Sequence, residues 1–548
     1  MSLHPGRRSA IALSVAVFLS GAVLLAVEIA ASRVLAPTFG SSLYVWGALI
    51  GVVLAGLALG YGAGGVLADR WPSPWLLVAA LTLGAGLVIL IPMVDGRVLS
   101  LIVDWDPGPR LDPLFAAIVL FGPASVVLAS ASPIAVKLAA RSLDRLGRTA
   151  GRLFSISTVG SIVGTFATAF WLVPAYGTDQ VIALGSVVLL LAAATVALAE
   201  GLYLPAGALT ASAAASVAVV VALAPDTGGT LEGAALRNWS PVVRAREDMR
   251  RGALDPAAID AIASGHTVRE ARDTRYHRLL VTEDGRSRYL RFDSSFQSGM
   301  WLDDPYKTRF AYTDYLQLGI AYNPSATNVL VVGLGGAAVP KRLNRDFRDV
   351  RVTALEIDPE VVEVARRWFA LPADGPRLRV EVGDGRQYLE RSDERWDVIM
   401  VDAFYADGIP FHLTTLEFAE RLRTRLSPGG VVAVNVIGSI AGSRSRLTRA
   451  LVKTYGAVFP TVKLHPVYDS PADRGMEDLR NIILVATERV APSRERLVET
   501  WRGVRQRRAP LAPDLAAAAR ERWEGPLPLA GVPLLTDDYA PTDALLLE

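Results

Sequence analysis

Seven long apolar stretches occupy the first 225 residues, and they restrict the possible folds more than any other feature. Each is close to the roughly 20 residues that a helix needs to cross the hydrocarbon core of a bilayer. The hydrophobic residues, 51% of the 548 in the chain, are concentrated in this part. The stretches are residues 11–31, 43–67, 75–93, 113–136, 153–174, 178–199 and 204–224. We expect a multipass α-helical membrane domain over residues 1–225, with the lipid bilayer as its partner.

Positive charges near these stretches bear on their orientation, because Lys and Arg are enriched in short cytoplasmic loops. Residues 137–152 carry five of them, and Arg7 and Arg8 precede the first stretch. Seven helices that begin in the cytoplasm place the rest of the chain outside the cell. The nucleoside cofactor inferred below is made in the cytoplasm, so the two expectations conflict. Of the two explanations, we favour an error of one helix in the count over a domain that uses another cofactor.

A βαβ pattern with a glycine turn begins at Val329. The run 329–332 is apolar throughout, as in a strand buried on both faces of a parallel sheet. A glycine cluster at 333–336 follows, and a second apolar strand at 350–355 ends in Glu356. Glycines let the backbone approach a ligand, and an acid roughly 20 residues later can bind both ribose hydroxyls. The pattern favours a nucleoside site; a tight turn without a ligand is the alternative.

Composition excludes several classes of function. The net charge of +2 gives no electrostatic reason to expect nucleic acid as a partner. The chain has no cysteine, which rules out disulfides, thiolate metal sites and cysteine nucleophiles. Its five histidines are scattered without the spacing of metal ligands, so no metal is expected.

The boundaries of the second half follow from changes in pattern. Residues 226–270 show no sustained periodicity and are interpreted as a linker. Alternating runs at 276–281 and 287–292 flank Asp284-Gly285, which predicts a β-hairpin.

Residues 271–490 are expected to form the α/β domain, followed by a helical extension and tail over 491–548. The tail contains Asp537 and Asp538 in the sequence LTDDYAP. These two acids either close over the site or only form a turn, and the sequence leaves both possibilities open.

The order of motifs resembles the spermidine synthase family of polyamine aminopropyltransferases, and the membrane half resembles its membrane-fused bacterial subgroup. The resemblance implies a small β-hairpin subdomain before a Rossmann-like, class I methyltransferase-type domain. It also makes a homo-oligomer possible. The matching residues are Tyr276-His277, Asp293, Gln297, Asp303-Asp304, Tyr312-Thr313-Asp314, Gly333 to Ala338, Glu356, Gly383-Asp384-Gly385 and Asp402.

The resemblance also implies roles for individual residues. Asp402 is expected to accept a proton from the attacking amine, and Tyr312 to share a hydrogen bond with it. Glu356 is expected to hold the ribose and Asp384 the adenine. The full set implied in cofactor binding is Gly333, Gly335, Gly336, Glu356, Asp384, Gly385 and Gln297. The set implied in amine binding is Asp407, Asp314, Tyr405 and His277. The cosubstrate would be decarboxylated S-adenosylmethionine or S-adenosylmethionine, without a metal, and the acceptor a small amine such as putrescine.

Two positions depart from the family pattern. Gly336 stands where the family has an acid that holds the amine of the cofactor, and Tyr405 stands where it has a second acid. Losing a charge-assisted hydrogen bond costs roughly 1.5–3 kcal/mol. Two other functions therefore stay open: an S-adenosylmethionine-dependent methyltransferase, and a membrane carrier or sensor that binds a nucleoside or polyamine without turnover. His412, near the expected site, is interpreted as a packing residue.

Overall fold

The computed structural model describes residues 7–39, 43–105, 107–108, 110–140, 146–222, 266–293, 295–405, 408–468 and 475–547. The chain forms two compact units. The first comprises Met1–Gly229 with Ala271–Arg278, and the second comprises Thr230–Glu270 with Leu279–Glu548. The segment 271–278, which the sequence analysis placed in the α/β domain, thus belongs to the first unit. Most of the predicted linker lies outside the described residues.

The first unit is entirely helical in its described residues before 223. Seven of its helices are long and apolar enough to cross a membrane, which matches the seven predicted spans. They are α1 (Arg7–Phe39), α2 (Leu43–Arg70), α3 (Pro74–Trp105), α5 (Gly122–Ala139), α6 (Leu146–Ala167), α8 (Thr178–Ala199) and α9 (Tyr203–Ala222). Two shorter helices are α4 (Asp112–Leu120) and α7 (Val173–Tyr176). This count covers the described residues alone, so the expected error of one helix stays a prediction for the whole chain.

Glycines allow the helices of the first unit to pack closely. A Cβ atom at Gly160 of α6 would lie 2.1 Å from the carbonyl oxygen of Phe18 in α1, and one at Gly164 would lie 2.1 Å from that of Ala22. Gly60 of α2 approaches Val126 of α5 in the same way, with a hypothetical Cβ at 2.3 Å. Small residues at such crossings let the backbones of membrane helices meet, and dispersion forces then hold them together.

The described residues from 266 onward first form a four-stranded antiparallel sheet in the order β1-β2-β3-β4. Its strands are β1 (Thr267–Asp273), β2 (Arg278–Glu283), β3 (Ser287–Phe292) and β4 (Ser295–Trp301). The predicted hairpin is the β2–β3 pair, with Gly285 at φ +83° in its turn. A positive φ is favourable only for glycine, which explains Asp-Gly at this turn.

A seven-stranded sheet forms the core of the second unit, in the order β10-β11-β9-β8-β5-β6-β7. Its strands are β5 (Asn328–Val332), β6 (Arg351–Glu356), β7 (Leu378–Val382), β8 (Trp396–Val401), β9 (Leu426–Gly438), β10 (Thr461–Pro466) and β11 (Arg480–Thr487). The strands β5 to β9 pair in parallel, while β10 and β11 pair antiparallel at one edge. The predicted Rossmann-like fold is confirmed. Strand order reverses at β5, which lies between β6 and β8, and ligands bind at such switch points in open α/β sheets.

Helices cover this sheet and complete the unit. In chain order they are α10 (Tyr312–Tyr315), α11 (Leu318–Tyr322), α12 (Ala338–Asp346), α13 (Pro359–Trp368), α14 (Gly385–Arg391), α15 (Leu416–Thr424), α16 (Arg446–Gly456), α17 (Arg494–Arg507), α18 (Ala516–Arg520) and α19 (Thr542–Leu547). Asp358 caps α13 by accepting a hydrogen bond from the backbone N–H of Glu360, and Pro359 occupies the first turn. This cap leaves Glu356, two residues earlier, as the acid at the sheet edge.

Candidate active site

The glycine turn after β5 lies against the residue that follows β8. Gly333 has φ +100°, and a Cβ atom there would lie 2.2 Å from the carbonyl oxygen of Asp402. The backbone N–H of Asp402 donates to the carbonyl of Val332 at 2.8 Å. Only glycine permits this close approach, so the turn and Asp402 share one rigid edge of the sheet. Gly335 also has a positive φ, of +50°.

Glu356 is the last residue of β6, and its carboxylate contacts the backbone of the glycine turn. One of its carboxylate oxygens accepts hydrogen bonds from the backbone N–H groups of Leu334, at 3.1 Å, and Gly335, at 3.3 Å. The other accepts from the N–H of Asp358 at 3.1 Å. Burial raises the pKa of Glu356 to about 7, although these backbone donors favour its charged form. A carboxylate has about four acceptor sites, so after these three donors Glu356 retains capacity for about one ligand hydroxyl.

Asp402 follows β8 and lies among hydrogen-bond donors. Its carboxylate accepts a hydrogen bond from the side-chain amide of Asn435 at 2.8 Å. Burial raises the pKa of Asp402 to about 6, and hydrogen bonds from Asn435 and Tyr312 act in the opposite direction. A carboxyl with a pKa near this value is suited to taking up and releasing a proton close to neutral pH.

The Tyr312 hydroxyl lies between two acceptors, the Asp402 carboxylate and the backbone carbonyl of Gln297, which is 3.3 Å away. The phenol has one proton, and the charge-assisted bond to Asp402 is the stronger of the two. Burial, followed by the negative charge of Asp402, raises the pKa of Tyr312 well above its ordinary value. Tyr312 therefore stays protonated and acts as a donor.

Asn435 and Asn481 are functional candidates that the sequence analysis missed. Asn435 lies in β9, and its side-chain oxygen accepts a hydrogen bond from the amide of Asn481 in β11 at 3.0 Å. This contact fixes the Asn435 amide so that its NH₂ group faces Asp402. The available signal was a lone polar residue inside the apolar run VVAVNV, since a buried polar side chain needs a partner.

Asp384 lies at the carboxyl side of β7 and combines two roles. It caps α14 by accepting from the backbone N–H of Gln387 at 2.9 Å, and its other oxygen lies 3.2 Å from Nε2 of His412. The hydrogen bond from His412 is the main cause that lowers the pKa of Asp384. His412, interpreted from sequence as a packing residue, thus contacts a predicted site residue and is partly exposed, at 34% of its side chain.

At Gly385 and Gly336, a Cβ atom would collide with neighbouring side chains. A Cβ at Gly385 would lie 2.5 Å from the side chain of Val332. One at Gly336 would lie 2.6 Å from the Ser298 hydroxyl and 3.1 Å from the Phe369 ring. The position where the family pattern has an acid therefore has no room for a side chain unless these neighbours move.

Three of the four residues implied in amine binding are described. Asp314 forms an ion pair with Arg342, so a cation already neutralises it. The backbones of Tyr405 and Gly408 exchange two N–H to carbonyl hydrogen bonds of 3.0 Å. His277 lies in the segment 271–278 of the first unit, where burial lowers its pKa to about 3 and keeps it neutral. Asp407 lies outside the described residues. Among those described, no group of three or more His, Asp or Glu side chains could hold a metal ion.

Comparisons with known proteins point to the same part of the chain. Residues 309–467 match the family model described as the spermine/spermidine synthase domain. A polyamine aminopropyltransferase from Vibrio vulnificus is 31% identical over 201 residues, which cover 35% of this chain and 65% of that protein. A probable polyamine aminopropyl transferase from Bifidobacterium longum is 34% identical over 148 residues, 27% of this chain and 32% of its own length. The chain spans about a third to two thirds of these relatives.

Among solved structures, the chain matches that of a probable spermidine synthase from Corynebacterium glutamicum. The match covers 47% of this chain and 96% of that one, with 21% sequence identity and a TM-score of 0.38.

Proposed function

We propose that the second unit is an aminopropyltransferase-like enzyme, because residues 309–467 match the family model of the spermine/spermidine synthase domain. In the proposed reaction, an aminopropyl or related group moves from a nucleoside sulfonium, of the decarboxylated S-adenosylmethionine type, to a small amine such as putrescine. The lone pair of the neutral amine forms a C–N bond to the carbon beside the sulfonium. The C–S bond breaks, its electron pair goes to sulfur, and methylthioadenosine leaves. The surplus proton on the new ammonium goes to Asp402.

The observation that carries this proposal is the placement of Asp402. It lies beside the glycine turn and receives hydrogen bonds from Asn435 and Tyr312. A sulfonium is already a good leaving group, so the protein needs only to orient the two substrates, exclude water and accept a proton. Asp402, with a pKa of about 6, can do the last of these at neutral pH.

Glu356 and Asp384 support the nucleoside half of the proposal. Glu356 lies beside the glycine turn, and its three backbone N–H donors leave it about one acceptor site for a ribose hydroxyl. Asp384 can accept a hydrogen bond from the amino group of an adenine base. The negative charge that its lowered pKa preserves favours this contact.

A second candidate is methyl transfer from S-adenosylmethionine, and Gly336 is the observation that favours it. A side chain at this position would collide with the Ser298 hydroxyl, and Ser298 is uncharged. A donor whose amine is paired with its own carboxylate has less need of a protein carboxylate at this point. A carrier or sensor that binds nucleosides or polyamines without turnover is the third possibility.

Mass spectrometry of the nucleoside product distinguishes the three. The detergent-purified full chain would be incubated with either sulfonium donor, with and without a mixture of amines. Amine-dependent release of methylthioadenosine supports aminopropyl transfer, whereas S-adenosylhomocysteine moves the assignment to methyl transfer. A donor that is bound but unchanged would contradict both enzymatic proposals and favour a carrier or sensor.

We also propose that the segment after α9 emerges on the extracytoplasmic side. The described residues contain seven candidate spans, and the stretch 137–152, which carries the basic residues, runs from the end of the fourth span into the start of the fifth. An odd number of spans puts the two ends of the helical region on opposite sides of the membrane. The donor would then have to reach the outer side.

The absence of natural cysteine allows a direct test of this topology. Val490→Cys and Gly147→Cys each introduce one exposed thiol, the first in the second unit and the second in the first turn of α6. In intact cells, a membrane-impermeant maleimide should label only Val490→Cys. Labelling of only Gly147→Cys would overturn the proposed orientation.

A further inference from the structure

The C-terminal strap, residues 534–540, is an ordered part of the second unit. The backbone N–H of Leu416 donates to the carbonyl of Leu535 at 2.8 Å, and the N–H of Leu535 donates to the Thr454 hydroxyl at 3.0 Å. Thr536 and Tyr539 close a turn through two backbone hydrogen bonds of 3.0 Å. Asp537 and Asp538 lie at the tip of this turn.

Asp537 binds Arg386 through both carboxylate oxygens. The two guanidinium N–H groups of Arg386 lie 2.7 and 2.5 Å from the two oxygens of Asp537. The backbone N–H of Asp537 also donates to Glu417 at 3.0 Å, which anchors the turn on α15. A bidentate arginine–carboxylate pair fixes direction as well as distance, unlike a single contact.

Arg386 connects this pair to the nucleoside end of the candidate site. It is the second residue after Asp384, and the same guanidinium nitrogen that contacts Asp537 donates to the backbone carbonyl of His412 at 3.0 Å. The imidazole of His412 in turn contacts the Asp384 carboxylate at 3.2 Å. The strap, the 411–413 segment and the start of α14 thus meet at one arginine.

We infer that Asp537 is a positioning residue of the nucleoside site: it orients Arg386, which holds His412 against Asp384. The inference rests on the proposed function, in which Asp384 faces the base. Without Asp537, the Arg386 guanidinium is free to turn toward Glu390, which lies 3.4 Å from its Nε atom. The carbonyl of His412 then loses its donor, and the contact between the imidazole and Asp384 loosens.

The competing explanation is a surface ion pair that only attaches the C-terminus. Exposed pairs of this kind contribute little to stability, and the Asp537 side chain is 40% exposed. The two explanations differ in what they change. An attachment point affects the whole unit equally, whereas a positioning residue affects nucleoside affinity and the 411–416 segment.

The test compares Asp537→Ala with Asp538→Ala in the detergent-purified full chain. Asp538 is the matched control, since it is an exposed acid on the same turn. Methylthioadenosine is the binding probe, and hydrogen exchange of residues 411–416 is measured in parallel. For Asp537→Ala we expect about tenfold weaker binding, the effect of one lost charge-assisted hydrogen bond. We also expect faster exchange confined to 411–416 and a KM for the amine close to that of the unsubstituted chain. Asp537→Glu, which keeps the carboxylate, should recover part of the affinity.

Unchanged affinity or unchanged exchange in Asp537→Ala would overturn the inference, as would an equal effect of Asp538→Ala. These outcomes differ from failure of the proposed function. If the unsubstituted chain binds neither methylthioadenosine nor either sulfonium donor, the proposed function is wrong. If it binds them and Asp537→Ala binds equally well, only the role of the strap is wrong.

Discussion

Asp402 follows β8 and Asp384 follows β7 in the same sheet, with β5 and β6 between these two strands, and their surroundings shift their pKa values in opposite directions. Burial dominates at Asp402 and raises its pKa to about 6. At Asp384, whose side chain is 21% exposed, the hydrogen bond from His412 dominates and lowers the pKa. In the proposed function, this difference suits Asp402 to exchange a proton and Asp384 to keep a constant charge. Paired carboxyls whose environments separate their pKa values often divide acid–base roles in this way.

The neighbours explain the contrast. Asp402 receives hydrogen bonds from Asn435 and Tyr312, neither of which carries a positive charge. Asp384 caps a helix and contacts His412, which Arg386 and the strap hold in place. Substitutions at the two ends of the site should therefore change different quantities, turnover at Asp402 and nucleoside affinity at Glu356 and Asp384.

The largest effect is expected for Asp402→Asn, which keeps the shape of the side chain and removes the proton acceptor. We expect kcat to fall by about 10² to 10⁴-fold, the usual contribution of a general base. Nucleoside affinity should change little, because Glu356 and Asp384 are untouched. Steady-state kinetics and equilibrium binding measure the two quantities, with Asp393→Asn, a fully exposed acid, as the control. Near-normal turnover in Asp402→Asn would show that Asp402 is not the proton acceptor.

Glu356→Gln should affect the nucleoside end. The new amide carries two donors where the carboxylate accepts from three backbone N–H groups, so the glycine turn loses part of its support. We expect nucleoside affinity to fall by about ten- to a hundredfold, the cost of lost charge-assisted hydrogen bonds.

Isothermal calorimetry with methylthioadenosine and with free adenine tests whether this loss depends on the ribose. The affinity for adenine should be nearly unchanged, and the exposed Glu381→Gln serves as the control. A loss of equal size for both ligands would assign Glu356 to folding of the site and not to ribose binding.

The pH dependence of kcat/KM for the amine, measured at a saturating concentration of the nucleoside donor, should reveal the raised pKa of Asp402. A saturating donor is needed because the pKa of Glu356 is also raised, to about 7, and Glu356 is proposed to bind the donor. The neutral, protonated form of Asp402 cannot accept a proton, so activity should fall as pH drops through about 6, by about tenfold per unit below it. The lowered pKa of Asp384 keeps it charged across this range.

The same raised pKa makes the free energy of unfolding depend on pH in the opposite direction to activity. Because the folded-state pKa of Asp402 lies above the unfolded one, its contribution to stability is present at low pH. It declines as pH rises from the ordinary carboxyl range through about 6. In the pH profile of activity, amine substrates of different basicity separate the titration of Asp402 from that of the amine itself. The limb caused by the substrate moves with the pKa of the amine, whereas the limb near pH 6 does not. A limb that follows the amine completely would contradict the assignment to Asp402.

The smallest effect is expected for Asn481→Ala. Asn435 then loses the partner that orients its amide, and its hydrogen bond to Asp402 weakens. Since that bond lowers the pKa of Asp402, its loss should raise the pKa further and move the acidic limb to higher pH. Activity should drop a few-fold at pH 6 and stay nearly constant at pH 8, as a pH–rate profile would record. An equal loss at both values would indicate general damage.

Local patterns in the sequence determined much of the architecture. The seven apolar stretches match the seven candidate spans, because a membrane-crossing helix must satisfy its backbone internally and expose apolar side chains. Gly285 and Gly333 predicted their turns from the sequence, because both have positive φ values, which glycine adopts more readily than other residues. The position of Asp402 after a buried strand was likewise predictable from the pattern of apolar residues.

Only the tertiary structure decided which side chains surround these elements. The bond between Asn435 and Asn481 joins two strands, the ion pair of Asp314 with Arg342 joins two helices, and the Asp537–Arg386 pair spans 151 positions. Ser298 of β4 fills the space beside Gly336, and no local sequence pattern predicts this contact. Periodicity and turn residues report the constraints on a chain's own backbone. The partner and the acidity of a carboxyl depend instead on strand order, packing and burial, which bring together residues far apart in the sequence.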